Sequence, residues 1–73
     1  MATKTKPEFK DGEKVLVDVR IEAYYRTRGV EDLKATVVRC LGPDVLGEIE
    51  YSVRVEGAIF DEVRRESDLR RAL

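Results

Sequence analysis

Between Lys14 and Glu22 the chain alternates: Val15, Val17, Val19 and Ile21 are set against Lys14, Asp18, Arg20 and Glu22. Successive side chains of a strand project to opposite faces, so this period of two predicts a strand with one buried face. Leu16 breaks the polar set and predicts cover on both sides at that end. The same period returns more cleanly downstream, where Ile49, Tyr51, Val53 and Val55 oppose Glu50, Ser52, Arg54 and Glu56.

The intervening sequence fills out a small sheet. Leu33 to Leu41 carries the β-branched residues Thr36, Val37 and Val38, which suit a strand. Adjacent Val37 and Val38 do not fit one alternation, which predicts a bulge or burial on both faces. Gly42-Pro43-Asp44 reads as a turn, and Gly57 marks a reversal into a fourth strand over Ala58 to Val63. There Ile59 and Phe60 compete for the inner side. The end, Ser67 to Leu73, offers a capping residue and helix formers but is too short for a stable helix. It predicts one 3-10 or helical turn, with Leu69 packed across the mouth of the fold and a short last strand after it. The expectation is an all-β domain over residues 9–73, a small barrel of four to five antiparallel strands, preceded by a flexible polar tail over residues 1–8. Closure into a barrel would also remove the exposed edges of so small a sheet.

Composition narrows the function. The chain has 73 residues, one cysteine (Cys40) and no histidine. No disulfide can form within it, and a structural zinc site, which takes four Cys or His ligands, is out of reach. Neither a metal nor another cofactor is expected. General acid–base catalysis most often uses histidine, and no phosphate-binding glycine loop is present, so the chain is not expected to be an enzyme. Cys40 reads as a small buried hydrophobe.

Fourteen basic and fifteen acidic residues give a net charge of −1. Proteins that live on phosphate contacts usually carry a basic excess, so the balance disfavours nucleic acid as a partner. In Asp61 to Arg71 the arginines 64, 65, 70 and 71 meet Asp61, Glu62, Glu66 and Asp68, which predicts a salt-bridged, solvated face. No apolar run approaches the ~18 residues of a membrane span. The first ten residues hold lysines but no apolar signal region, and the free thiol suits a reducing compartment, so an intracellular, cytoplasmic location is expected.

Several short segments resemble Tudor and chromo-barrel domains of the SH3-like superfamily. Phe9-Lys10-Asp11-Gly12-Glu13-Lys14-Val15 is similar to their entry into the first strand, and Ala35-Thr36-Val37 to their second strand. Tyr51 to Gly57 looks like the third strand and its hairpin. Phe60-Asp61-Glu62-Val63 and Glu66-Ser67-Asp68-Leu69-Arg70 look like the fourth strand and closing turn. The resemblance implies an SH3-like barrel. It also implies a departure: many such domains read methylated side chains with an aromatic cage, yet Leu33, Lys34 and Val55 stand at positions where cage aromatics are common. There is no tryptophan either.

Binding residues are expected where the alternation lapses. Residues 23–32 read as a long loop holding Tyr24, Tyr25, Arg26 and Arg28, side-chain types that recur at binding hot spots. One tyrosine is expected to fold back onto the barrel and leave the other for contact. Phe9 and Tyr51 read as core, and Phe60 as core or, alternatively, as a partner contact. The expected function is a small non-catalytic module that binds a protein or peptide through this loop and the adjacent barrel edges. Two alternatives are an RNA- or DNA-binding small barrel, and an accessory subunit of a larger enzyme like the ferredoxin-docking SH3-like subunits. No membrane partner is expected, and a homodimer is left open.

Overall fold

The computed structural model describes residues 6–72. Five strands form one antiparallel sheet: β1 (Lys14–Asp18), β2 (Asp32–Pro43), β3 (Ile49–Val55), β4 (Glu62–Arg65) and β5 (Leu69–Arg71). They lie in the order β4-β3-β2-β1-β5. No ladder joins β4 to β5, so the sheet is open rather than closed into a barrel. One helical turn, α1 (Ala23–Arg26), interrupts the path from β1 to β2, and a 3-10 turn (Glu66–Asp68) leads from β4 into β5.

The long strand β2 organises the molecule. Its first part, Asp32 to Thr36, pairs with β1, and its second part, Ala35 to Pro43, pairs with β3. Register shifts fall between Val37 and Arg39 and between Cys40 and Gly42. A bulge adds a residue to one strand and sharpens its twist, so β2 can serve both neighbours while bending. The first shift resolves the Val37–Val38 conflict: Val37 is buried and Val38 exposed.

Alternation translates into burial wherever the ladder persists. Val15 and Val17 of β1, Ala35 and Val37 of β2, and Ile49, Tyr51 and Val53 of β3 build the core with Phe9, Val19 and Leu69. Burying each such side chain contributes about 1.5–3 kcal/mol, the main term set against chain entropy. Cys40 is partly buried against this core, with a free thiol.

Four boundaries differ from the sequence expectation. β1 ends at Asp18 rather than Glu22, because the Asp18 carboxylate accepts from both the Arg20 amide and its guanidinium and turns the chain. That hydrogen bonding draws the Asp18 carboxyl down to about 2. Val19 still reaches the core, but Ile21 is thrown outward, 87 % exposed. Residues 23–26 form a helical turn instead of an irregular loop. Pro43 stays in β2, opposite Ile49, and the reversal falls at 44–48, where Asp44 Oδ1 accepts the amides of Leu46 and Glu48. β4 begins at Glu62 rather than Ala58, since Gly57 with φ 85° and the bends at 59 and 60 carry the chain away from β3. Phe60 is accordingly 76 % exposed and is not a core residue.

The expected tail lies largely outside the described residues, but Glu8 at its end is held. Its amide donates to the Tyr51 hydroxyl at 2.9 Å, as does that of Phe9 at 3.3 Å. The hydroxyl in turn donates to the Glu66 carboxylate. Phe9 packs edge-on to the Tyr51 ring with centroids 5.6 Å apart, and Arg71 stacks over Phe9 while donating to the Glu8 carbonyl. Tyr51 thus ties the N-terminal segment, β3 and the 3-10 turn together.

Candidate functional site

The segment that carries the candidate binding residues is built like a short helix with a defined stop. Glu22 is extended, and its carbonyl accepts the amides of Tyr25 and Arg26. At the other end the Val30 amide bonds the Tyr25 carbonyl and the Gly29 amide bonds that of Arg26. These are the paired bonds of a Schellman closure, which needs a left-handed residue, and Gly29 has φ 72°. The accompanying apolar contact is present too, with Tyr25 and Val30 both packed against the core.

This closure sorts the two tyrosines. Tyr25 is half-buried beneath the turn, and Tyr24 stands out from it, 61 % exposed, with the rings edge-to-face at 5.0 Å. The Arg28 guanidinium lies 3.7 Å from the Tyr24 ring centroid and donates at 2.8 Å to the Tyr24 carbonyl. Thr27 also donates to that carbonyl through its hydroxyl. The outcome is a fixed surface of one aromatic face and one cation, with Arg26 exposed beside it in sequence. A surface of this kind can stack on a flat group, pack a proline ring or accept a carboxylate at the guanidinium.

The turn is anchored to the far edge of the sheet. Both carboxylate oxygens of Glu22 meet Arg64 of β4 at 3.3 Å, and Arg64 Nε donates to Glu62 at 3.0 Å. Arg64 is the most buried of the ion-paired arginines. Because the β1–β2 connection is clamped to β4 this way, the Tyr24–Arg28 surface is carried by the sheet rather than by a free loop. The structure brings Tyr24, Tyr25 and Arg28 together, while Phe60 lies on the other connection, between β3 and β4.

The remaining arginines of the C-terminal segment are paired, mostly with acids from elsewhere in the chain. Arg65 meets Asp44, Arg70 meets Asp32, and Arg71 meets Glu13. Charge balance within Asp61 to Arg71 therefore understates the arrangement, since its cations lace the segment to the turn before β1, to β2 and to the 44–48 turn.

A second feature was not legible in the sequence. An open groove of about 580 Å³ lies across the start of β1, the first half of β2 and the β3–β4 hairpin. Val15, Ala35 and Val55 line it together with Lys14, Lys34 and Arg54. The cations sit at outward positions of three neighbouring strands, and only the register Lys14–Thr36–Arg54 reveals that they converge. None of the candidate binding residues Tyr24, Tyr25, Arg26, Arg28 and Phe60 lines this groove, whereas Lys34 and Val55, noted above for the cage aromatics they lack, do.

No family model, curated protein or solved structure matches the chain.

Proposed function

We propose that this chain is a non-catalytic interaction module that binds a protein or peptide partner through the α1 surface, with Tyr24 and Arg28 as its principal contacts. The observation that carries this reading is the exposed Tyr24 ring with the Arg28 guanidinium stacked on it. Exposing a large aromatic face leaves apolar area in water, and here a Schellman closure and an ion pair to β4 hold that face in place. A pre-ordered contact surface loses less entropy on binding than a mobile loop. Five antiparallel strands in the order β4-β3-β2-β1-β5 with a 3-10 turn before the last support reading the scaffold as an open relative of the SH3-like small barrels of the Tudor and chromo-barrel kind.

Protein is favoured over nucleic acid as the partner because most arginines on the described surface already meet carboxylates. Phosphate binding depends on free cations whose release of counterions makes affinity fall steeply with salt.

The test is capture of partners from the native cell with the whole chain as bait. Tyr24→Ala should keep the wild-type melting temperature within a few degrees and lose the captured partner, with an affinity loss of at least ~30-fold, equivalent to a ~2 kcal/mol hot spot. Tyr25→Ala should instead lower the melting temperature, since that ring packs on the core. A Tyr24→Ala chain that stays folded and binds as wild type would place the contact elsewhere. Binding that collapses as salt is raised would replace the peptide with a nucleic acid.

A further inference from the structure

The free edge of β4 is self-complementary. β4 pairs with β3 on one side only, and among the described residues no backbone bond reaches it from another element. Such an edge presents unpaired N–H and C=O groups, and natural sheets usually blunt it with repulsive charge, proline or cover. Here β4 with the residue before it reads Asp61-Glu62-Val63-Arg64-Arg65, two anions, an apolar residue and two cations. Val63 is 54 % exposed at its centre.

We propose that a second copy of this chain pairs with β4 in antiparallel register about a two-fold axis through Val63, joining two sheets into one of ten strands. The register follows from geometry. With the axis perpendicular to the sheet, directly opposed residues must share a face, and side chains alternate along β4. Centring on Val63 satisfies this and sets Val63 against Val63, Glu62 against Arg64 of the second copy, and Asp61 against its Arg65. The two charge contacts each occur twice by symmetry, and Val63–Val63 lies once on the axis. Opposed side chains in an antiparallel pair lie roughly 4.5–5.5 Å apart at Cβ, close enough for Asp61 and Arg65 to meet across the seam.

At the outer positions existing ion pairs leave room for new ones, while Arg64 already meets Glu22 and Glu62 of its own chain. Asp61 meets Arg54 through a single oxygen, Oδ1, and Arg65 meets Asp44 through Nε at 3.4 Å. The side chains of Arg65 and Asp61 remain partly exposed. The opposite edge of the sheet lacks this property. β5 reads Leu69-Arg70-Arg71, with Leu69 buried, and self-pairing about Arg70 would set Arg70 against Arg70. Like charges directly opposed destabilise a strand pair, so β5 is protected and β4 is not.

A pairing this short buries little area and belongs with weak, concentration-dependent interfaces, so sedimentation equilibrium should cover about 5 µM to about 1 mM of the full chain. The wild type is expected to pass from monomer to dimer across that range. Asp61→Arg sets arginine against Arg65 of the second copy, and Arg65→Asp sets aspartate against Asp61, so each variant alone should dimerise at least tenfold more weakly. Mixed in equal amounts, the two variants restore opposite charges at both positions and should form a mixed dimer. Val63→Lys, an exposed change that opposes lysine to lysine, provides a third disrupted variant should either charge swap fail to fold by circular dichroism. A wild type that stays monomeric throughout overturns the proposal. So do folded variants that dimerise like the wild type, or a mixture of the two charge variants that stays monomeric.

Discussion

Tyr51→Ala should leave the domain unfolded or nearly so at 25 °C, and Tyr51→Phe should fall between it and the wild type. The ring is fully buried at the centre of β3, and truncating a large aromatic in a core costs about 3–5 kcal/mol. A chain of this length buries a modest share of its surface, which places its stability toward the lower end of ~5–15 kcal/mol. The alanine variant therefore removes most of what there is. Phenylalanine keeps the ring but deletes the hydroxyl that accepts from the amides of Glu8 and Phe9 and donates to Glu66. The Glu8 amide still donates to Glu66 at 3.0 Å, so the loss falls mainly on the buried Phe9 amide and costs roughly 1–3 kcal/mol.

The same hydroxyl gives a pH signature. Burial first, and the hydrogen bond to Glu66 second, push the Tyr51 phenol up from 10.0 to about 12. A group whose folded value is raised stabilises fully below its unfolded value and loses that contribution as pH rises through the folded one. Stability from Tyr51 is thus complete below pH 10 and disappears toward about 12. Denaturant midpoints measured through this alkaline window should fall for the wild type more than for Tyr51→Phe. Parallel pH profiles for the two proteins would show that the hydroxyl is not the coupled group.

Val53→Ala should cost about 1–3 kcal/mol, while Ser52→Ala, its neighbour, should cost less than ~0.5 kcal/mol. Val53 lies between Val37 and Glu62 in the ladder and is fully buried, and its methyl groups leave a void that the surrounding valines cannot close. Ser52 lies between Arg39 and Val63 on the opposite face. Melting temperatures of the two variants compare the faces directly, and equal losses would mean the inward face had been misassigned.

That assignment was legible from alternation alone, because β3 is paired on both sides and nothing interrupts its period. The first strand shows where the same rule stops. Val15, Val17 and Val19 are buried as their spacing predicts, but Ile21 continues the sequence pattern after the backbone has turned at Arg20. Alternation records composition, and only a continuing ladder converts it into a face. Phe60 fails for a related reason: its parity matches Glu62 and Arg64, yet the chain bends away from β3 before reaching it. The candidate site was legible as a cluster of residue types, Tyr24, Tyr25, Arg26 and Arg28. Its order was not, since the signal lay in Gly29-Val30, a helix stop that matters only once a helical turn precedes it. The clamp from Glu22 to Arg64 joins residues 42 positions apart, which no local pattern records.

β2 acts as a splint whose two halves belong to different neighbours and overlap only at Ala35 and Thr36. Neither β5-β1 nor β3-β4 has a partner for its inner strand unless β2 is already in place, and β2 has no reason to be straight or bent without both. Partial opening is thereby penalised: releasing either strand pair frees half of β2 and uncovers the valines that the other half rests on. Such a chain has no stable fragment to retreat to. Amides at the overlap should exchange with solvent only through global unfolding, while those of the 44–48 turn and the β3–β4 hairpin exchange by local fluctuation. On this topology the domain should unfold as a single cooperative unit, which would let so small a chain hold a shaped surface without a disulfide.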